Sequence, residues 1–233
     1  MYRPTTIRFE SVSGWQRVYH LINSLTAVIM IIALRSAVAA PADLDKVDLA
    51  RLKRGEILLQ TIHGDKPGGA ARVTAYFNTT TEAIWNVIGY CKYEFVYVRG
   101  LQLCEVLEPG QLKTRVRHRL RNNWFSPTLD YTFEASRTPC CRGEFRLVEG
   151  DLDVMEGQWV LQPVADSNGI IVVHEIRVKP GLPAPRWLVR RSLRRDLPDM
   201  LACMRGLANA SGDEPRNAAD LNRCPGDIPE VVK

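Results

Sequence analysis

The 233-residue chain has no GxSxG elbow, no GxxxxGKS/T phosphate loop, no HExxH pair and no GxGxxG fingerprint. These absences remove the usual sequence marks of a serine hydrolase, a nucleotide-phosphate site, a zinc peptidase and a dinucleotide fold. No CxxC pair occurs among the six cysteines, and no Cys/His spacing suits zinc. No metal or other cofactor is expected. Internal repeats, low-complexity tracts and a second domain are also lacking. The one long apolar run, Leu21 to Leu34, is short for a membrane span and is closed by Arg35.

That run has a characteristic frame. Arg3, Arg8 and Arg17 precede it, and the small residues Ala37-Val38-Ala39 follow. This is the layout of a secretory signal, with cleavage after Ala39 keeping Pro41 off the first mature position. An uncleaved N-terminal anchor is the alternative. The expected location is therefore exported, periplasmic or extracellular, or else anchored at a membrane. Cleavage leaves 194 of 233 residues, enough for one domain with a sizeable core. It also removes charge: residues 1–39 hold four arginines against Glu10, so +5 for the whole chain becomes +2 for the remainder. A high overall pI then says little about nucleic acid, and no nucleic-acid partner is expected; local patches carry more information. A monomer is expected.

All six cysteines fall after residue 39: Cys91, Cys104, Cys140, Cys141, Cys203 and Cys224. An exported protein can oxidise them. Cys91 and Cys104 flank one helix-to-strand connection and are the pair expected to bridge. Buried free thiols remain open, because spacing does not determine connectivity.

Hydrophobic periodicity predicts the elements. Residues 40–69 read as an arm or short helix followed by a short strand at 57–62. Ala71 to Phe77 alternates as a strand, and Thr79 to Glu82 offers an N-cap and early acid for a helix through Ile88. Tyr90 to Val98 suggests a second short helix. Strands are then predicted at 101–107, 112–122, 128–136, 142–148, 155–163 and 169–178. Pro, Gly, Asn and Asp turns separate most of them, the spacing of an antiparallel meander. Lys179 to Pro185 holds three prolines and ends the last strand. Arg186 to Leu207 follows as an amphipathic helix with the stripe Val189, Leu193, Leu197, Met200, Met204 and Leu207. Pro198 should kink or divide it near Arg194 to Leu197. Residues 210–233 read as a flexible tail.

The segments Val73 to Ile88, Cys104-Glu105-Val106-Leu107, Phe145 to Gly150 and the proline-flanked final helix together resemble the START-like helix-grip superfamily, also called Bet v 1-like. The nearest likeness is to the polyketide cyclase/dehydrase and coenzyme Q-binding START-like group. It covers residues 70–208. The resemblance implies an α+β fold in which a curved antiparallel sheet wraps around a long C-terminal helix. It also implies an apolar cavity between them that holds a hydrophobic small molecule such as a lipid, quinone or isoprenoid.

Candidate pocket residues come from alternation within strands. Tyr131 and Phe133 share one strand face, Phe145 and Leu147 another; Met155, Gly157, Trp159 and Leu161 alternate on a third. Leu197, Met200 and Met204 come from the helix. Each could equally be plain core. His118 alternates with Val116 and Leu120, and His174 with Val172 and Ile176, so both point inward. Either could hold a ligand's polar end or act as a general acid or base; a satisfied core histidine is the simpler reading. A carrier is favoured over a cyclase/dehydratase-like enzyme. A membrane-surface module is the third possibility.

Two basic arrays are candidate contacts with an anionic membrane surface. In Lys113 to Arg121 every odd position is basic, so Lys113, Arg115, Arg117, Arg119 and Arg121 line one face. Glu134, Glu144 and Glu149 could compensate them. On the last helix Arg190 and Arg194 continue from Arg186 at four-residue steps, beside Arg191 and Arg195. A solvated outer face is the alternative in both places.

Overall fold

The structure is a computed structural model that describes residues 46–63, 66, 68–121, 127–138, 140–165, 167–209 and 218–226. The readings of residues 1–39 as a signal or anchor lie outside these residues. The described chain runs α1 (Lys46–Lys53), β1 (Leu58–Thr61), β2 (Gly69–Phe77), α2 (Thr81–Gly89), α3 (Cys91–Tyr97), β3 (Leu101–Glu108), β4 (Lys113–Leu120), β5 (Leu129–Thr138), β6 (Arg142–Gly150), β7 (Leu152–Pro163), β8 (Ile170–Pro180), α4 (Arg186–Asn209) and α5 (Ala218–Leu221). No helix among the described residues is long and apolar enough to cross a membrane.

The eight strands form one sheet in the order β1-β2-β8-β7-β6-β5-β4-β3, antiparallel throughout. From β3 to β8 each strand pairs with the next, which short turns permit. The closing pair β2–β8 joins the first half of the chain to the last. Bulges between β3 and β4, and near Leu152 in β7, interrupt the ladder and help the sheet bend. The curved sheet and the long C-terminal helix make this the helix-grip α+β fold.

Alternation decides what faces the helix. Val73, Ala75 and Phe77 of β2 are fully buried, as are Leu201, Met204 and Leu207 of α4. Gly69 lets the start of the helix approach β2, because a Cβ there would stand 2.9 Å from Val189 Cγ1. In α2, the Thr80 hydroxyl accepts a hydrogen bond from Ala83 N at 3.2 Å, capping the helix. Tyr90, at φ −113° and ψ 121°, ends α2 and separates it from α3.

Two expectations are corrected here. The last helix is not divided: α4 runs unbroken with Pro198 inside it. The C-terminal segment is not loose where it is described. Asp220 in α5 pairs with Arg205 through two 2.7 Å bonds, Cys224 is disulfide-bonded to Cys203, and Gly226 N donates to Val96 O. Arg205 also donates to Gly55 O and Tyr76 O. Its guanidinium therefore joins α4, α5, β2 and the loop after α1. The Gly, Pro, Asn and Asp content of this segment signals no regular structure, yet long-range bonds hold it down.

Candidate functional site

Between the inner face of the sheet and helices α2, α3 and α4 lies a cavity of about 480 Å³. Its wall brings together Tyr131 and Phe133 of β5, Phe145 of β6, Trp159 of β7, His118 of β4, His174 of β8, and Leu197 and Met200 of α4. The register explains this assembly. His118 lies directly opposite Tyr131, Val116 opposite Phe133, and Trp159 opposite His174, so each pair shares the inner face. Met204 is one of four predicted residues that lie outside this wall. It is fully buried against the core, beyond the cavity wall, because one further helical turn carries it past the opening. Leu147, Gly157 and Leu161 also lie outside the wall. Gly157 serves it indirectly: the Phe145 ring covers it, and a Cβ there would stand 2.3 Å from Phe145 Cζ.

The first of two polar centres is built around His118. Its Nε2 lies 2.7 Å from Glu94 Oε2 of α3, and its Nδ1 lies 3.4 Å from the Tyr131 hydroxyl. A carboxylate only accepts, so the proton belongs on Nε2, and Nδ1 accepts from Tyr131. The Glu94 contact is close but poorly aligned, so Nε2 is buried without a hydrogen-bond partner among the described residues. His118 also meets the Phe133 ring edge-on at 4.9 Å. Burial, with the nearby Glu94 charge, raises the hydroxyl pKa of both Tyr97 and Tyr131, keeping them as O–H groups at neutral pH.

His174 forms the second centre. It stacks on Trp159 with centroids 3.8 Å apart and faces Phe145 at 5.7 Å. Its Nδ1–H donates to Gln158 O at 3.3 Å, since a carbonyl can only accept. Burial pushes its pKa down to about 3 despite that bond. The ring is therefore neutral near pH 7 and cannot act there as a proton donor of imidazolium type.

The site's acid, Glu94, was not anticipated from sequence. It shares the three-residue step Cys91, Glu94, Tyr97 on α3, and a lone acid on a mostly apolar helical face was the available signal. Trp85 of α2 was also missed. Its indole donates to Cys140 O at 2.9 Å, and Arg137 lies over its ring at 4.7 Å. Glu94, Cys104 and His118 place potential ligand atoms within 4.8 Å of one another. Cys104, however, is bonded to Cys91 in a disulfide and offers no thiolate to a metal.

The basic row on β4 is paired with acids on its neighbours. Arg115 meets Glu108 at 2.6 Å, Arg117 and Arg119 both meet Asp130 at 2.9 Å, and Lys113 meets Glu134 at 3.4 Å. The arginines, Arg117 first, hold the Asp130 carboxyl down at about 2. Of the three acids expected to compensate the row, Glu134 makes an ion pair with it and Glu149 adds its charge near Arg117, whereas Glu144 pairs with Arg142. Asp130 and Glu108 take over because the antiparallel register brings them alongside, which sequence distance conceals. A larger depression of about 560 Å³ lies on this outer face. Its charged side chains, including Glu134, Arg146, Glu156, Glu175 and Arg177, pair mostly with one another or with their strand neighbours.

Residues 96–205 match the family described as polyketide cyclase / dehydrase and lipid transport. No curated protein sequence matches the chain. Among solved structures, a STAR-related lipid transfer protein fragment from Xanthomonas axonopodis is similar at TM-score 0.56 and 15% identity, covering 66% of this chain and 93% of that one. Human StAR-related lipid transfer protein 5 aligns at TM-score 0.52 and 11% identity, covering 82% of this chain and 96% of the other. The Zhui aromatase/cyclase from a Streptomyces species aligns at TM-score 0.50 and 15% identity, covering 67% and 98%. Identities this low speak to fold alone. Sheet order, gripped helix and matched segment together give the chain the helix-grip fold, similar to that of START-like, Bet v 1-like proteins.

Proposed function

We propose that the protein binds and carries a hydrophobic small molecule in the cavity between sheet and α4. The observation that carries this reading is one mostly apolar cavity whose wall holds the polar group His118, Glu94 and Tyr131. Its size, about 480 Å³, falls within the roughly 300–1,000 Å³ range of small-molecule sites. Phe133, Phe145, Trp159, Leu197 and Met200 would surround the apolar body. His118, with Glu94 and Tyr131 beside it, would hold the polar end through hydrogen bonds to a ligand oxygen. A quinone, polyisoprenoid, fatty acid or phospholipid fits this description. Native mass spectrometry of gently purified protein tests it: a bound apolar molecule, or uptake from lipid and quinone mixtures, is expected. An empty cavity that takes up none of them contradicts it.

One observation favours a second reading, a cyclase/dehydratase-like enzyme: His118 stands against a carboxylate, the arrangement of an oriented general base. His174, held neutral, adds no acid. His118→Gln separates the two readings, since turnover would collapse in an enzyme while a carrier would lose only part of its affinity. We further place the protein in an exported, oxidising compartment. The N-terminal basic and apolar pattern supports this, as do the pairings Cys91–Cys104 and Cys203–Cys224.

A further inference from the structure

Among the described residues, the arginines are not evenly matched with acids. Those of β4 meet Glu108 and Asp130. On α4, the two acids are already engaged: Asp196 meets Arg99 and Arg195, and Asp199 meets Arg99 and Arg223. Arg186, Arg190, Arg191 and Arg194 are left with no carboxylate at ion-pair distance among the described residues. All four lie in the first nine residues of one helix.

The same segment exposes large apolar side chains. Trp187 is 63% exposed and Leu188 44% exposed, and Leu182 in the preceding loop is 50% exposed. Trp187 and Arg191 are four residues apart, while Leu188 and Arg191, and Arg191 and Arg194, are three apart. They are therefore neighbours on the outward side of the helix. Val189 and Leu193 on the opposite side pack toward Gly69 of β2. A single helical face thus carries uncompensated cations interleaved with an indole and a leucine. An acidic protein would engage the cations but has no evident need for the exposed Trp187. A bilayer with anionic headgroups uses both, the arginines at phosphate level and the indole at the boundary with the acyl chains.

We propose that the start of α4, through Trp187, Leu188, Arg186, Arg191 and Arg194, docks on an anionic lipid surface. The β4 row, whose charges are already paired, does not. The inference stands whether or not the cavity holds a ligand. It has a consequence for the fold, however: Leu197 and Met200 of the same helix wall the cavity, so docking seats that helix on the membrane. Trp187 lies thirteen residues before Met200, about 20 Å along the axis.

The test uses the full chain with vesicles of phosphatidylcholine alone or mixed with brominated phosphatidylglycerol, reading tryptophan quenching. The chain holds five tryptophans, so the readout is the difference between wild type and Trp187→Phe, which isolates the indole of Trp187 from binding through another part of the chain. A quenched component is expected in the wild type, absent from Trp187→Phe and weakened by salt. The triple variant Arg186→Ser, Arg191→Ser, Arg194→Ser should need about a hundredfold more anionic lipid for the same quenching, at roughly fivefold per cation. Arg115→Ser, Arg117→Ser, Arg119→Ser should behave as wild type. The α4 positions are exposed or half-buried, so an unchanged melting temperature confirms that these variants fold. Equal quenching in wild type and Trp187→Phe overturns the proposal. So does equal quenching by neutral brominated lipid, or loss of binding in the β4 variant but not the α4 variant.

Discussion

Glu94 Oε2 stands 2.7 Å from His118 Nε2, both side chains close to fully buried in the wall of the cavity. Three elements meet there: α3 supplies the acid, β4 the imidazole and β5 the Tyr131 hydroxyl. Under the carrier reading, this centre supplies orientation and the surrounding side chains supply most of the affinity. His118→Gln and Glu94→Gln should each weaken binding of the co-purified molecule by about tenfold or somewhat more, the scale of one hydrogen bond involving a charged group. Isothermal titration with the extracted ligand measures it. An unchanged affinity in both variants would remove the centre from the binding site.

Met200 and Met204 sit one turn apart on α4 but do different things. Met200 lines the cavity; Met204 is sealed in the core. Met200→Trp should block ligand uptake by filling space while leaving the fold intact. Met204→Ala should leave uptake of saturating ligand unchanged and destabilise the protein by about 2–5 kcal/mol. Paired uptake and denaturation curves for the two variants check this contrast.

Arg205 and Asp220 form a pair with little solvent contact, which matters because removing one partner strands a buried charge. Asp220→Asn or Arg205→Met should cost about 3–5 kcal/mol by denaturant titration, and the double variant less than the sum. Additive losses would show that the pair does not act as a unit.

His174 predicts a pH dependence. Its pKa falls from 6.5 unfolded to about 3 folded, so the unfolded state takes up the proton first. The contribution is fully present above about pH 6.5 and is lost as pH falls toward about 3, at most about 1.4 kcal/mol per unit. Asp130, also depressed, acts in a lower window, from 3.8 toward about 2. Between pH 6.5 and 4.5 the wild type should therefore lose stability more steeply than His174→Gln. Parallel slopes in guanidinium melts would rule out His174 as the source.

Much of this architecture could be read before any coordinates. Val73, Ala75 and Phe77 alternate, so they had to share a face. The runs from Leu101 to Val178 are short and turn-separated, so a meander followed. The spacing of Tyr131 and Phe133, and of Val116 and His118, put these side chains on a common strand face because the strand period is two. Those inferences hold because each needs only a few consecutive residues. Glu94 could not be placed in the same way, since its partner is 24 positions away and on a different element type.

Sequence by itself determined the order of elements, the amphipathic stripe of α4 and which strand faces are apolar, because these follow from local periodicity and turn chemistry. Tertiary structure alone decided four further things: that Met200 lines the cavity while Met204 does not, that Asp220 anchors the C-terminal segment, that Asp130 pairs with Arg117 and Arg119 of β4, and that the arginines opening α4 keep their charge unmatched. Each depends on strand register or helix seating, which bring distant residues within a few ångströms and leave no trace in the spacing of neighbours along the chain.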